Sequence, residues 1–143
     1  LSSRYWELLW KRARRFIARA ERDFVEGDFD GACFNSGQAI QLAAKAILYR
    51  VFGVRIGIRS SKALLAQLRN MLYEAGKHGL AMAVDDVVSS HRRELELLEE
   101  SCTESRYGEF EYLESQGRAC LETAKKVLEA LSRIESELTK TSN

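Results

Sequence analysis

The chain contains no proline in 143 residues, where average usage of about 5% would place roughly seven. Proline punctuates loops, edges and turns. A chain without it, with nine scattered glycines, is suited to long helices joined by short turns. The apolar spacing agrees. From Tyr5 to about Glu26, the residues Leu9, Ala13, Phe16, Ile17, Ala20 and Phe24 recur at i, i+4, i+7 and i+8, one buried helical stripe. Gly27-Asp28 ends that helix, and Asp28 or Asp30 can cap a second one. Its stripe of Cys33, Gly37, Ile40, Ala44, Ile47, Leu48 and Val51 runs to Gly53.

The short segment from Gly53 to Arg59 reads as a loop before Ser60 or Ser61 caps a shorter helix to about Glu74. After a turn at Gly76-Lys77-His78-Gly79, a helix is expected from Leu80 to Cys102, with Val84, Val87, Val88, His91, Leu95 and Leu98 in register. A break near Arg106 precedes a last helix of about 30 residues, whose stripe includes Phe110, Leu113, Gly117, Cys120, Leu121, Val127, Leu131 and Leu138. The expected fold is all-α: one domain over residues 1–143, an antiparallel up-and-down bundle of four long helices plus one shorter helix.

The net charge of +1 hides a dipolar molecule. Between Gly31 and Tyr73 there is no Asp or Glu, while Lys45, Arg50, Arg55, Arg59, Lys62 and Arg69 are present. Arg12, Arg15, Arg19 and Arg22 line a separate face of the first helix. Acid collects later, at Glu94, Glu96, Glu99, Glu100 and Glu104. This asymmetry makes a nucleotide or polyanion the leading ligand class.

Other chemistries find little support. The late carboxylates have no E-x-x-H partner, so they are expected to form a solvated face and no metal site. His91 lies on an apolar stripe and is expected to be a hydrogen-bonded core imidazole; His78 sits in a Gly-flanked turn and is expected to be solvated. Cys33, Cys102 and Cys120 form no C-x-x-C pair. They are expected to be small core or boundary residues in a reducing cytoplasm, too scattered for a zinc site or a disulfide framework. No apolar run approaches the roughly 18 to 20 residues of a membrane span. A cytoplasmic protein without a cofactor is therefore expected, and no catalytic residue is assigned.

Two stretches resemble a known family. Phe24-Val25-Glu26-Gly27-Asp28-Phe29-Asp30-Gly31-Ala32-Cys33-Phe34, followed by Gln38-Ala39-Ile40-Gln41-Leu42-Ala43-Ala44-Lys45-Ala46-Ile47-Leu48, is similar to the second helix of the HEPN family. That helix reads approximately G-x-Y/F-x-x-A-x-F and then Q-A-x-E-x-x-x-K-A-L/I. The later Ser105-Arg106-Tyr107 resembles the family's S/A-R-Y-P. The resemblance implies an up-and-down bundle, homodimerisation, and nucleotide or RNA binding near Arg106. Family members that cut RNA use Arg, then four to six residues, then His. Here no His follows His91, and Glu111 holds the first of those positions, after Tyr107-Gly108-Glu109-Phe110 and before Tyr112. A carboxylate of ordinary pKa about 4.3 is poorly suited to proton transfer at neutral pH, whereas Arg can hold a phosphate bidentately without it.

Three functions stay open on this reading. The first is a noncatalytic HEPN-like module that binds nucleotide or RNA through Arg106, Tyr107, Arg55, Arg59, Lys62 and Lys45, regulatory within a system linked to a minimal nucleotidyltransferase. The second is a metal-independent ribonuclease toxin of a toxin-antitoxin pair. The third is a plain protein-interaction bundle. A homodimer is expected as well, because Tyr5, Trp6, Trp10 and Tyr49 offer more aromatic surface than a small bundle must bury.

Overall fold

The computed structural model describes residues 3–103 and 111–140, and all its regular structure is helical: α1 (Ser3–Val25), α2 (Phe29–Phe52), α3 (Ser61–Glu74), α4 (His78–Ser90), α5 (Arg92–Thr103) and α6 (Glu114–Lys140). The ends are set locally. Asp28 caps α2 by accepting from the Gly31 N–H at 2.9 Å, and Ser60 caps α3 by accepting from the Ala63 N–H at 3.0 Å. Gly53, at φ 70°, closes α2 in the left-handed conformation that glycine adopts without a Cβ clash.

α2 is the central element. Its small residues Ala32, Ala39, Ala43, Ala44 and Ala46 are fully buried, beside Ile40, Ile47 and Leu48. α1 packs antiparallel to it: the Tyr5 ring meets Tyr49 edge-on at 4.6 Å, and Phe24 meets Phe29 at 5.6 Å. α6 runs in the same sense as α2, from Gly117 against Phe29, through Cys120 against Cys33, to Glu135 against Arg50. A Cβ at Gly117 would lie 2.9 Å from Phe29 Cδ1, so the two helix starts approach through a glycine.

The all-α bundle expected from the sequence is what forms, and one element differs. The helix expected from Leu80 to Cys102 is two helices with a break at His91, whose backbone sits at φ −131°, ψ 32°. The imidazole explains the break. His91 Nδ1 donates to the Val87 carbonyl at 2.8 Å, the acceptor that the His91 N–H would take in a continuous helix, and that N–H turns to Val88 O at 3.2 Å. Residues 53–60 form the expected loop before α3, and the structure adds its course, a return along α2. Ser61 Oγ donates to the Gly37 carbonyl at 3.2 Å, so α3 begins beside the first half of α2, about 22 Å back from its end.

Two expectations about side chains are corrected. Cys33 and Cys120, read as separate core residues, are joined as a disulfide between α2 and α6, with Cα atoms 5.0 Å apart, and only Cys102 remains a free thiol. They are 87 residues apart, a proximity that only the packing of α2 on α6 creates. The aromatics offered as dimer surface are used within the chain. Trp10 and Tyr49 are buried; the Trp10 indole N–H donates to Glu135 at 2.8 Å, and Arg50 lies over the Trp6 ring at 3.9 Å while pairing with Glu135 at 3.2 Å. Among the described residues, no helix is long and apolar enough to cross a membrane, and no group of three or more His, Cys, Asp or Glu could hold a metal ion.

Candidate anion site

Gln38, Gln41 and Lys45 follow one another at three and four residues, so they share one face of α2. The returning segment lies along that helix: Arg55 stands beside Tyr49 and Ser61 beside Gly37, and Arg59 between them comes within electrostatic reach of Lys45. The last turn of α5 closes the same corner, with Gln41 Nε2 3.7 Å from Cys102 Sγ and Leu98 near Gly37. A chain reversal thus gathers carboxamides, cations and a thiol from three elements.

The structure separates the basic residues named from the sequence. Arg55 lies over the Tyr5 ring at 4.0 Å and within 5.3 Å of the Tyr49 ring, which makes it a cation stacked on the end of the bundle. Lys62 is paired with Glu96, and its backbone N–H donates to Glu99 Oε1 at 2.9 Å. Glu99 also accepts from Ser60 Oγ at 2.9 Å, so its charge sits at the N-terminus of α3, where the helix dipole favours an anion.

Lys45 and Arg59 differ from both. Neither forms an ion pair among the described residues. Lys45 is half-buried; its pKa is lowered from the ordinary lysine value, first by burial of the ammonium and second by the charge of Arg59. Two cations within electrostatic reach of each other, neither in an ion pair and one of them partly dehydrated, make a place where an anion gains from both, although the Glu99 carboxylate at Ser60 and Cys102 borders it. Cys102 is the weaker chemical group of the corner. Burial, and then the charge of Glu99, push its thiol pKa up, so it is not activated as a nucleophile.

Arg106 and Tyr107 lie outside the described residues. The described residues on either side of that stretch are fixed against α2: Cys102 beside Gly37 and Gln41, and Tyr112, whose N–H donates to Asp30 Oδ1 at 2.7 Å. Glu111 is exposed and borders an acidic hollow of about 350 Å³ with Asp28, Asp30 and Glu114. The cleft between α5 and α6, about 400 Å³, is lined by Glu94, Glu96 and Glu100 with Arg93. Both repel anions, so the Lys45–Arg59 corner is electrostatically distinct from the hollows around it.

Gln41 was legible in the sequence only as a departure from the family's Glu. In the structure it is buried, where a neutral amide spares the corner a negative charge beside Lys45. Sequence reasoning did not single out Gln38 or Cys102 for this corner. The Gln38–Gln41–Lys45 spacing could have shown the shared face, but the approach of Cys102 depends on α5.

The chain matches the family model described as the HEPN domain over residues 6–134. With nearly the whole helical bundle covered, it belongs to the HEPN family. No curated protein and no solved structure matches it.

Proposed function

We propose that this chain is a noncatalytic HEPN module that binds the phosphates of a nucleotide or RNA at Lys45 and Arg59, with Arg106 and Tyr107 completing the site. The observation that carries this reading is the return of residues 53–60 along α2, anchored by Arg55 over Tyr49 and by Ser61 on Gly37, which brings Arg59 within electrostatic reach of the half-buried Lys45 while neither cation forms an ion pair among the described residues. An incoming phosphate relieves that repulsion, and bidentate contact to a guanidinium adds direction to the attraction. The noncatalytic assignment rests on the absence of any His after His91. Family membership supports a homodimer and a role beside a minimal nucleotidyltransferase, in which the module senses a phosphorylated ligand.

Titration of ATP and of a single-stranded RNA against wild type and Lys45→Ala/Arg59→Ala tests the site. Removal of the charged hydrogen bonds should weaken both ligands by about tenfold or more. Identical affinities in the two proteins would remove this reading. The RNA should be recovered intact; cleavage abolished in Arg106→Ala would replace it with the ribonuclease. Sedimentation equilibrium at micromolar concentration checks the dimer, and a single species of 16.3 kDa would exclude it.

A further inference from the structure

α1 carries seven basic and three acidic side chains, a balance of +4 against +1 for the whole chain. Placed at about 100° per residue, Arg4, Lys11, Arg15 and Arg22 fall within about 20° of one line along the helix. The buried residues Leu9, Ala13 and Ala20 lie on the opposite side, so this line is the outermost ridge of α1. All four cations are exposed, and none forms an ion pair among the described residues. The ridge is about 27 Å long from Arg4 to Arg22.

Folding accounts for only part of it: Arg22 stands in the last turn of α1, where the helix dipole favours a cation, and Glu7 precedes Lys11 by four residues. Elsewhere on the surface several basic side chains are paired: Arg118 with Glu114, Arg133 with Glu129, Lys140 with Glu137 and Arg69 with Asp85. On α1, Lys11 and Arg15 are like charges four residues apart, which disfavours a helix, and Arg4 stands in the first turn, where the dipole favours an acid. Over the length from Arg4 to Arg22 the line itself holds no exposed aromatic or large aliphatic side chain, its remaining exposed member being Ala18, and the exposed Val25 flanks only its C-terminal end. A line of cations with a single acid, Glu7, beside its N-terminal half suits a partner whose binding is carried by charge, and a nucleic-acid backbone is such a partner.

We propose that the Arg4–Lys11–Arg15–Arg22 ridge of α1 is a second contact surface for single-stranded RNA, one that grips the phosphate backbone without reading the bases. This deepens the proposed function, on which the choice of RNA rests. The ridge extends the contact beyond the nucleotide held at Lys45 and Arg59. A mononucleotide is too short to use it.

The test compares wild type, Arg15→Gln, and the fourfold variant Arg4→Gln/Lys11→Gln/Arg15→Gln/Arg22→Gln, using labelled 16-nucleotide oligo-U and oligo-A, and ATP. The fourfold variant should bind both RNAs at least about tenfold more weakly at low salt, with the log–log salt slope reduced by roughly 0.7 for each phosphate that is no longer neutralised. Arg15→Gln should show one such step. ATP affinity should not change, whereas Lys45→Ala/Arg59→Ala should weaken ATP. Unchanged RNA affinity and slope in both ridge variants would overturn the ridge while leaving the nucleotide site standing. Unchanged ATP affinity in Lys45→Ala/Arg59→Ala would overturn the site instead. Disappearance of a salt-sensitive self-association in the fourfold variant, with RNA binding intact, would overturn the proposal in favour of docking on a second copy.

Discussion

The Arg55 guanidinium lies 4.0 Å from the centre of the Tyr5 ring, joining the returning segment 53–60 to the first turns of α1. The sequence placed Arg55 with the ligand-binding cations because a loop arginine gains little from packing. In the structure it covers the open end of the Tyr5–Tyr49 pair, and this holds the segment that presents Arg59.

Arg55→Ala should therefore act first on stability. Cation–π contacts at exposed sites contribute about 0.5–1 kcal/mol, so urea unfolding should show a decrease of that order. ATP affinity at saturating folded protein should fall much less than in Arg59→Ala. An equal fall in the two variants would return Arg55 to the ligand set.

Lys45 predicts opposite pH trends for folding and binding. Its folded pKa lies below the unfolded value of 10.5, so between the two the unfolded chain binds more protons, and the contribution of Lys45 to stability rises with pH across that window. Anion binding needs the charged ammonium and should decline as pH rises through the lowered folded pKa. Lys45→Met should flatten both trends, relieve the buried charge, and weaken ATP. Urea melts and ATP titrations between neutral pH and the lysine range measure the two trends separately.

The Cys33–Cys120 bond closes a loop of 87 residues between α2 and α6. In the chain-entropy account such a loop stabilises the fold by about 4–5 kcal/mol. Reduction, or Cys33→Ser/Cys120→Ser, should lower the melting temperature by many degrees. Alkylation of denatured, unreduced protein should modify Cys102 alone, and in the native protein Cys102 should react more slowly than an ordinary thiol because its pKa is raised. Three modified cysteines without reductant would show that the bond is absent.

Much of this molecule was legible along the chain because helix signals are local. The apolar period, the absence of proline, the caps Asp28 and Ser60 and the stop at Gly53 each act within a few residues, and the helices begin and end close to where those signals stand. The break at His91 escaped because its apolar register is unbroken, and the signal that ends α4 is a side-chain hydrogen bond to Val87 O with no pattern of its own. Charge segregation was equally plain in the sequence. Which cations are free was not: Lys45 and Lys62 look alike in the chain, but Glu96 comes from a helix more than thirty residues away and pairs with only one of them.

The sequence by itself determined the helical class, the family and the basic character of the second quarter, since these depend on residue types and spacings that survive in any conformation. The tertiary structure alone decided that residues 53–60 turn back along α2, that Arg59 comes within electrostatic reach of Lys45 while Arg55 lies over Tyr5, and that Cys33 meets Cys120. Each of these joins residues brought together only when helices pack, and their energies depend on distances and burial that no local pattern encodes.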